Sequence, residues 1–293
     1  MIVDLATTSI PLRQQYLQHA IAPRPICFAS TVNTAGAVNL SPFSFFNMFS
    51  TTPPVVIFSP SRRVRDNTVK HTLENVLEVP EVVINMVDYD MVQQVSLSSC
   101  DYPRGVDEFT KAGFTPEPAT RVRPPMVRES KIRMECVVTG VQSLGAEPGA
   151  GNLVICEVLI MHIADDVLDE RGMIDQRKLK HVARLGGDWY SVTNSENLFK
   201  VEKPNTHTGI GIDALPASIR FSPILTGNHL GQLANVHEFP LIDPAFQDER
   251  LTQIVTYFSM SPEEMERELH HYAAALLQQG NVAAAWQVLL AAP

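Results

Sequence analysis

The sequence predicts a mainly β protein: a β-barrel core with helical decoration, followed by a helical appendage. Three observations carry this. Residues 131–144 and 153–163 are long runs dominated by Val, Ile and Met, and the flexible stretch 145–152 between them makes a long antiparallel hairpin. Several shorter strand candidates precede that hairpin, with short helices interspersed, as in barrels built from many short strands. After Lys203-Pro204-Asn205 the chain becomes rich in Gly, Pro and Asn with little periodicity, and two helices finish it. A boundary near Lys203 is therefore expected, with residues 1–203 as one domain and 204–293 as an irregular and helical extension.

Residues 14–21 form a short helical candidate that ends at Pro23. Residues 26–32 read as a strand, Asn33-Thr34-Ala35-Gly36 as a turn and 38–40 as the returning strand, a hairpin with polar, Gly-containing turn chemistry. The apolar run 55–59 after Pro53-Pro54 fits a buried strand. Asp66 is placed to cap a helix over 68–78, and 82–87 is the next strand. Residues 89–98 and 107–112 are short helices, the second stopped by Gly113, and the proline-rich 116–125 is a loop. Gly140 is a candidate bulge position in the long hairpin. In the extension, Ser261-Pro262-Glu263-Glu264 starts a helix that runs to about Gln279 and stops at Gly280; Asn281 caps a last helix over 282–290.

At 293 residues the chain is long enough to bury a substantial core unaided. Its net charge of −9 disfavours non-specific nucleic-acid binding, although Arg62 to Arg65 is locally basic. No apolar run approaches the ~20 residues of a membrane span, and the N-terminus lacks the pattern of a signal peptide. Cys27, Cys100, Cys136 and Cys156 are scattered without CxxC spacing and read as small buried residues in a reducing compartment, which makes the cytoplasm the default location.

The chemistry-bearing residues concentrate between Arg24 and Thr68. Asn39-Leu40-Ser41-Pro42-Phe43-Ser44-Phe45-Phe46 joins turn residues to flat apolar side chains, and Ser59, Ser61, Arg62, Arg63, Arg65, Asp66 and Thr68 follow. An aromatic platform beside hydroxyls, guanidinium groups and helix-start amides suits a planar, phosphorylated cofactor, which points to flavin mononucleotide (FMN). Taken alone, the polar cluster reads first as a solvated basic turn in which Asp66 neutralises Arg65; the Asn39 to Phe46 segment just upstream tips the balance to a cofactor. The phenylalanines also read as core: Phe43 and Phe45 share one strand face and Phe46 takes the other, so at least one of them is plain core, and aromatic residues are more often core than cofactor contacts. In Arg184-Leu185-Gly186-Gly187-Asp188-Trp189-Tyr190 the paired glycines allow close backbone approach to a ligand; the competing reading is a tight turn ending a helix over 178–184.

Other motifs are set aside. Gly209-Ile210-Gly211-Ile212-Asp213-Ala214 matches a relaxed dinucleotide fingerprint but has no preceding strand and meets Pro216 almost at once. The nine histidines show no metal-ligand spacing; adjacent His270 and His271 cannot face one ion, and His229 and His237 are expected at the surface. No GxSxG elbow is present.

These residues together resemble the flavin reductase-like family, the FMN-binding split barrels that include flavoredoxin and the reductase components of two-component monooxygenases. The resemblance covers about residues 22–202 and rests on Pro23-Arg24-Pro25, the Asn39 to Phe46 segment and the Ser59 to Thr68 cluster, with support from Arg184 to Tyr190 and the long hairpin. It implies a homodimer of six-stranded antiparallel, Greek-key split barrels with FMN near the subunit interface. It further implies Asn39, Leu40, Ser41 and Phe45 as flavin-ring contacts. Ser59, Arg62, Asp66, Asn67 and Thr68 become phosphate and ribityl contacts, and Arg184 and Tyr190 close over the ring from either subunit. Many relatives read Lys-Asp-Thr where this chain is matched at Arg65-Asp66-Asn67-Thr68, with one extra residue.

The resulting expectation is an FMN-dependent oxidoreductase, a flavin reductase that takes a hydride from NADH or NADPH, with no essential side-chain acid or base. A monooxygenase or redox protein would accept the electrons. Two rivals stand beside it: an FMN electron carrier reduced by a protein partner, and a non-redox module whose barrel holds another ligand or none.

Overall fold

A computed structural model describes residues 1–201, 203–204 and 208–292. The chain divides into two compact units, residues 1–199 and 200–293. Of the residues flanking the expected junction, Glu202 and Asn205 lie outside those described.

The first unit opens with α1 (Ile10–Ala20), four residues earlier than expected because Pro11 sits favourably in its first turn. β1 (Arg24–Pro25), β2 (Cys27–Val32), β3 (Val38–Phe43), β4 (Phe46–Ser50) and β5 (Val55–Phe58) follow, then α2 (His71–Glu78) and β6 (Glu81–Met86). Next come α3 (Val92–Ser98), α4 (Glu108–Ala112), β7 (Pro116–Glu117), β8 (Met126–Val127), β9 (Ile132–Ser143), β10 (Asn152–Ile163), β11 (Val182–Arg184) and β12 (Tyr190–Val192).

Seven strands form one antiparallel sheet in the order β3-β2-β6-β9-β10-β5-β4. Its two edge strands, β3 and β4, are separated in the chain only by Ser44 and Phe45, so the sheet must curl until its edges meet. One strand bent at those two residues thus serves both edges, and seven segments make a six-staved split barrel. Ser59 N–H donates to the Phe45 carbonyl at 2.8 Å, and the Phe43 and Phe58 rings meet at 5.4 Å across the closure. Alternate residues fill the interior: Cys27 and Ala29, Val82 and Ile84, Met134 and Cys136, Val154 and Cys156. Burial pushes all three interior thiols up, that of Cys156 to about 12, so they behave as packing groups. Cys100 departs from expectation and is exposed.

β2 is buried along its whole length. Its other face carries Phe28, which with Ile26 just before the strand packs against Met91, Val95 and Phe109 from the helical layer, and Phe28 and Phe114 lie edge to face at 5.2 Å. α2 packs Leu73 and Val76 into the barrel core, worth about 1.5–3 kcal/mol for each buried side chain. In the long hairpin the register slips between Ile155 and Cys156, which pair with Gly140 and Val138, so the bulge falls on Thr139 beside the expected glycine.

Three expectations are corrected in this unit. The helix expected over 68–78 starts only at His71, because Asp66 accepts from Thr68 N–H at 3.0 Å and Thr68 Oγ1 at 2.6 Å and so closes a turn. Residues 178–184 are not a helix: β11 pairs with β1 and β12, and the paired glycines lie in the β11–β12 turn. The proline-rich 116–125 segment is not all loop: it opens with β7, which pairs with β8 just beyond it.

The second unit contains α5 (Ala217–Arg220), α6 (Gly227–Ala234), α7 (Glu249–Tyr257), α8 (Pro262–Gln278) and α9 (Val282–Leu290). The stretch expected to be irregular therefore carries α5 and α6. A reciprocal cap starts α6: Thr226 Oγ1 accepts from His229 N–H, and His229 Nδ1 accepts from Thr226 N–H. His229 is consequently buried, not at the surface. α8 and α9 turn at Gly280 in the left-handed region, and Asn281 caps α9 by accepting from Ala284 N–H at 3.2 Å. Their core centres on Trp286, whose Nε1 donates to the Leu233 carbonyl at 3.2 Å. Among the described residues no helix is long and apolar enough to cross a membrane, and no three His, Cys, Asp or Glu side chains group as a metal site.

Candidate functional site

β3 carries Asn39 and Ser41 along one flank of a pocket, and the entry to α2 supplies Arg63, Lys70, His71 and Thr72. The loop between α3 and α4 brings Ser99, Cys100, Asp101 and Tyr102, and Glu108 opens α4 behind them.

A buried polar chain holds this pocket in shape. Glu108 Oε1 accepts from Asn39 Nδ2 and Oε2 accepts from Leu40 N–H, both at 2.9 Å. With its amide nitrogen thus engaged, Asn39 turns Oδ1 towards Thr72, whose hydroxyl donates to it at 2.6 Å. One carboxylate thereby fixes β3 to the first turn of α2. Burial pushes the Glu108 carboxyl up, opposed by the bonds from Leu40 and Asn39.

The entry to α2 is a place for an anion. Lys70 occupies the cap position without a side-chain cap bond, so no side chain caps the helix-start amides of His71 and Thr72, which form the positive end of the helix dipole. Arg63 and Lys70 stand beside them, and Arg63 is steadied by bonds to Thr68 Oγ1 and the Val69 carbonyl. Burial lowers the His71 pKa; Glu74 opposes this, while Arg63, Arg104 and Lys70 reinforce it.

The residues expected at the site divide into four groups. Asn39 and Ser41 line the pocket. Leu40 is wholly buried, with its amide committed to Glu108. Ser59, Arg62, Asp66, Asn67 and Thr68 form a frame whose polar groups mostly satisfy one another. Ser59 Oγ accepts from Asn152 N–H at 3.1 Å, and Arg62 Nε donates to Asn67 Oδ1 at 2.7 Å. Asn67 itself has a φ of 56°, a left-handed conformation that asparagine tolerates, and its Nδ2 reaches the Ala146 carbonyl at 3.1 Å. The bonds from Thr68 draw the Asp66 carboxyl down to about 2. Phe45, Arg184 and Tyr190 are not among the residues that line the pocket. Phe45 lies at the bend closing the barrel, and the Arg184 guanidinium stacks 4.5 Å from the Tyr190 ring centre.

Sequence reasoning passed over Lys70, His71, Thr72 and Glu108. For the first three a signal existed: Lys70-His71-Thr72 has the Lys-x-Thr spacing without an inserted residue and immediately precedes the buried Leu73. Glu108 gave no such signal, since an acidic residue in a first helical turn is adequately explained by the helix dipole.

Comparison with known proteins places this geometry in context. A family model described as "Flavin reductase like domain" matches residues 19–183. An uncharacterized protein of Halalkalibacterium halodurans is 39% identical over 192 residues, spanning 64% of this chain and 91% of that protein. The crystal structure of nitrilotriacetate monooxygenase component B from Bacillus cereus is 28% identical and superposes with a TM-score of 0.64, covering 69% of this chain and 98% of that one. The 2-nitrobenzoate 2-nitroreductase NbaA of Pseudomonas fluorescens, at 22% identity and TM-score 0.63 over 72% of this chain and 100% of its own, shares the fold. The family match stops short of the second unit.

Proposed function

The chain belongs to the flavin reductase like domain family, and from that premise we propose that it binds FMN and reduces it with NADH or NADPH. The observation that carries this reading is the pocket between β3 and the start of α2. Its donors suit a phosphate monoester: two cationic side chains, Arg63 and Lys70, and the first amides of a helix, aligned with the helix dipole. Asn39 and Ser41 would border the polar edge of the ligand along β3. Ser59, Arg62, Asp66, Asn67 and Thr68 would act as the frame that presents Arg63, while Phe45, Arg184 and Tyr190 would cover the ring from the same or a second subunit. FMN, when bound, supplies the hydride acceptor, and the chain's own residues bind it, orient it and exclude water.

A homodimer follows as part of the proposal. Among the described residues β4 pairs only with β5, which leaves its other edge open, and Met48 and Phe49 in this strand are 67% and 64% exposed. An open apolar strand edge invites pairing or cover, and a second copy of the chain would provide it. A monooxygenase as electron acceptor is supported by the likeness to a monooxygenase component B. Cytoplasmic residence fits the buried, unpaired cysteines of the barrel.

Titration of the protein with FMN and with riboflavin, which lacks the phosphate, tests the pocket. FMN should bind about tenfold or more tightly than riboflavin. Equal affinities would remove the phosphate assignment, and no uptake of either flavin would remove the flavin reading altogether.

A further inference from the structure

Asp101 stands where three cations meet. Its Oδ1 accepts from Arg63 Nε at 3.1 Å and pairs with Lys70 Nζ at 3.5 Å, and its Oδ2 accepts from Arg65 Nη2 at 3.2 Å. The carboxylate is 42% exposed, so burial does not explain so many partners. Its loop is also anchored to α2 through Arg104, which pairs with Glu74 at 3.2 Å and Glu78 at 3.1 Å, and is shaped by short-range turns, with Cys100 N–H donating to Leu97 and Val106 N–H to Pro103; the Asp101 side chain can therefore move while the loop stays in place. The ties from Asp101 to the α2 entry are ion pairs of partly exposed groups, a weak kind of contact that water and a stronger anion readily replace. Two of these cations, Arg63 and Lys70, line the same pocket as His71 and Thr72, where the start of α2 has no side-chain cap. One planar monoanion therefore satisfies a donor set that a tetrahedral dianion would satisfy better.

We propose that Asp101 is an internal competitor for the flavin phosphate: its carboxylate holds Arg63, Arg65 and Lys70 together and is exchanged for the phosphate on binding. This residue thereby sets flavin affinity and keeps the flavin an exchangeable substrate. The inference rests on the FMN reading above. No covalent step is involved. The exchange moves one carboxylate out of contact with the three cations and one phosphate into contact with them.

The test compares full-length wild-type protein with Asp101→Asn and Asp101→Ser, measuring equilibrium binding and dissociation of FMN and of riboflavin. Both variants should bind FMN about tenfold more tightly, the size expected when one carboxylate is removed from beside a dianion in a wet site. FMN dissociation should slow in proportion, and riboflavin affinity should stay within about twofold of wild type on the same reasoning. FMN affinity that is unchanged or weaker in both folded variants would overturn the proposal, because Asp101 would then only keep the cations in place. An equal gain for riboflavin would overturn it too, since the effect would not act through the phosphate. Wild-type protein that takes up neither flavin would refute the FMN reading itself, an outcome separable from the other two by the wild-type measurement alone.

Discussion

Removing the Glu108 carboxylate should loosen the pocket and the barrel wall together. Glu108→Ala leaves Asn39 Nδ2 and the Leu40 amide buried without acceptors, where each now has a 2.9 Å bond. Each unsatisfied buried donor costs about 1–3 kcal/mol, so the pair and the accompanying void give about 4 kcal/mol. At about 2–4 °C per kcal/mol, this lowers the melting temperature of the first unit by roughly 8–16 °C. Glu108→Gln should be far milder. The new carbonyl can accept from Leu40, the new amide can donate to a flipped Asn39, and Asn39 can then donate to Thr72, for a cost of about 1 kcal/mol. The sign of the pH dependence also follows. Burial raises the Glu108 pKa in the folded state, so the folded protein binds this proton more tightly than the unfolded chain. The associated stability is fully present below the ordinary glutamate pKa and is lost as pH rises through the folded value; Glu108→Gln should lack that slope. Scanning calorimetry of both variants across acid pH, which can separate the two units, is the assay. An alanine variant within about 1 kcal/mol of wild type, or a glutamine variant as damaged as the alanine one, would mean that the bonds from Asn39 and Leu40 to Glu108 do not hold the pocket together.

Three further outcomes are expected. Lys70→Ala should lower FMN affinity about tenfold while leaving riboflavin binding near wild type, because the lost charge would act on the phosphate and not on the ring; isothermal titration checks this. Arg24 is a buried guanidinium donating to the carbonyls of Gln18 and Ile21 at the end of α1 and of Leu185 before the β11–β12 turn, so Arg24→Met should cost about 2–4 kcal/mol in chemical denaturation of the first unit. In the second unit, burial foremost lowers the pKa of His270, whose Nδ1 lies 2.9 Å from Ser222 Oγ. The stability tied to neutral His270 is present above the ordinary histidine pKa and is lost as pH falls through the folded value, so denaturant midpoints followed by Trp286 fluorescence should fall in mild acid, and less so in His270→Gln.

Local patterns made the barrel staves legible in the sequence. The β2–β3 hairpin announced itself through its polar turn, and β9 and β10 through length and apolar content. The last helix was legible because Asn281 and Gly280 act on their immediate neighbours. Other features depend on partners far along the chain. β11 is three residues long and exists because Arg184 pairs with Arg24, so no local pattern distinguished it from a helix end. Asp66 was a good helix cap by type, but its oxygens are used by Thr68 two residues on, and the true start of α2 moved to Lys70 and His71. α6 escaped notice because its cap pairs Thr226 with a histidine in place of the usual Glu or Gln. Within the site, Asn39 and Ser41 were readable from the motif on β3, whereas Glu108 acts on them only after the helical layer folds over the barrel.

The pocket at β3 and α2 is expected to hold FMN that a nicotinamide reduces directly. The most direct measurement is the visible spectrum of the FMN-loaded protein, followed without air as NADH or NADPH is added. Flavin absorption that bleaches rapidly with one or both nicotinamides is the predicted result. Flavin bands that persist with both would contradict this expectation and leave an electron carrier reduced by another protein.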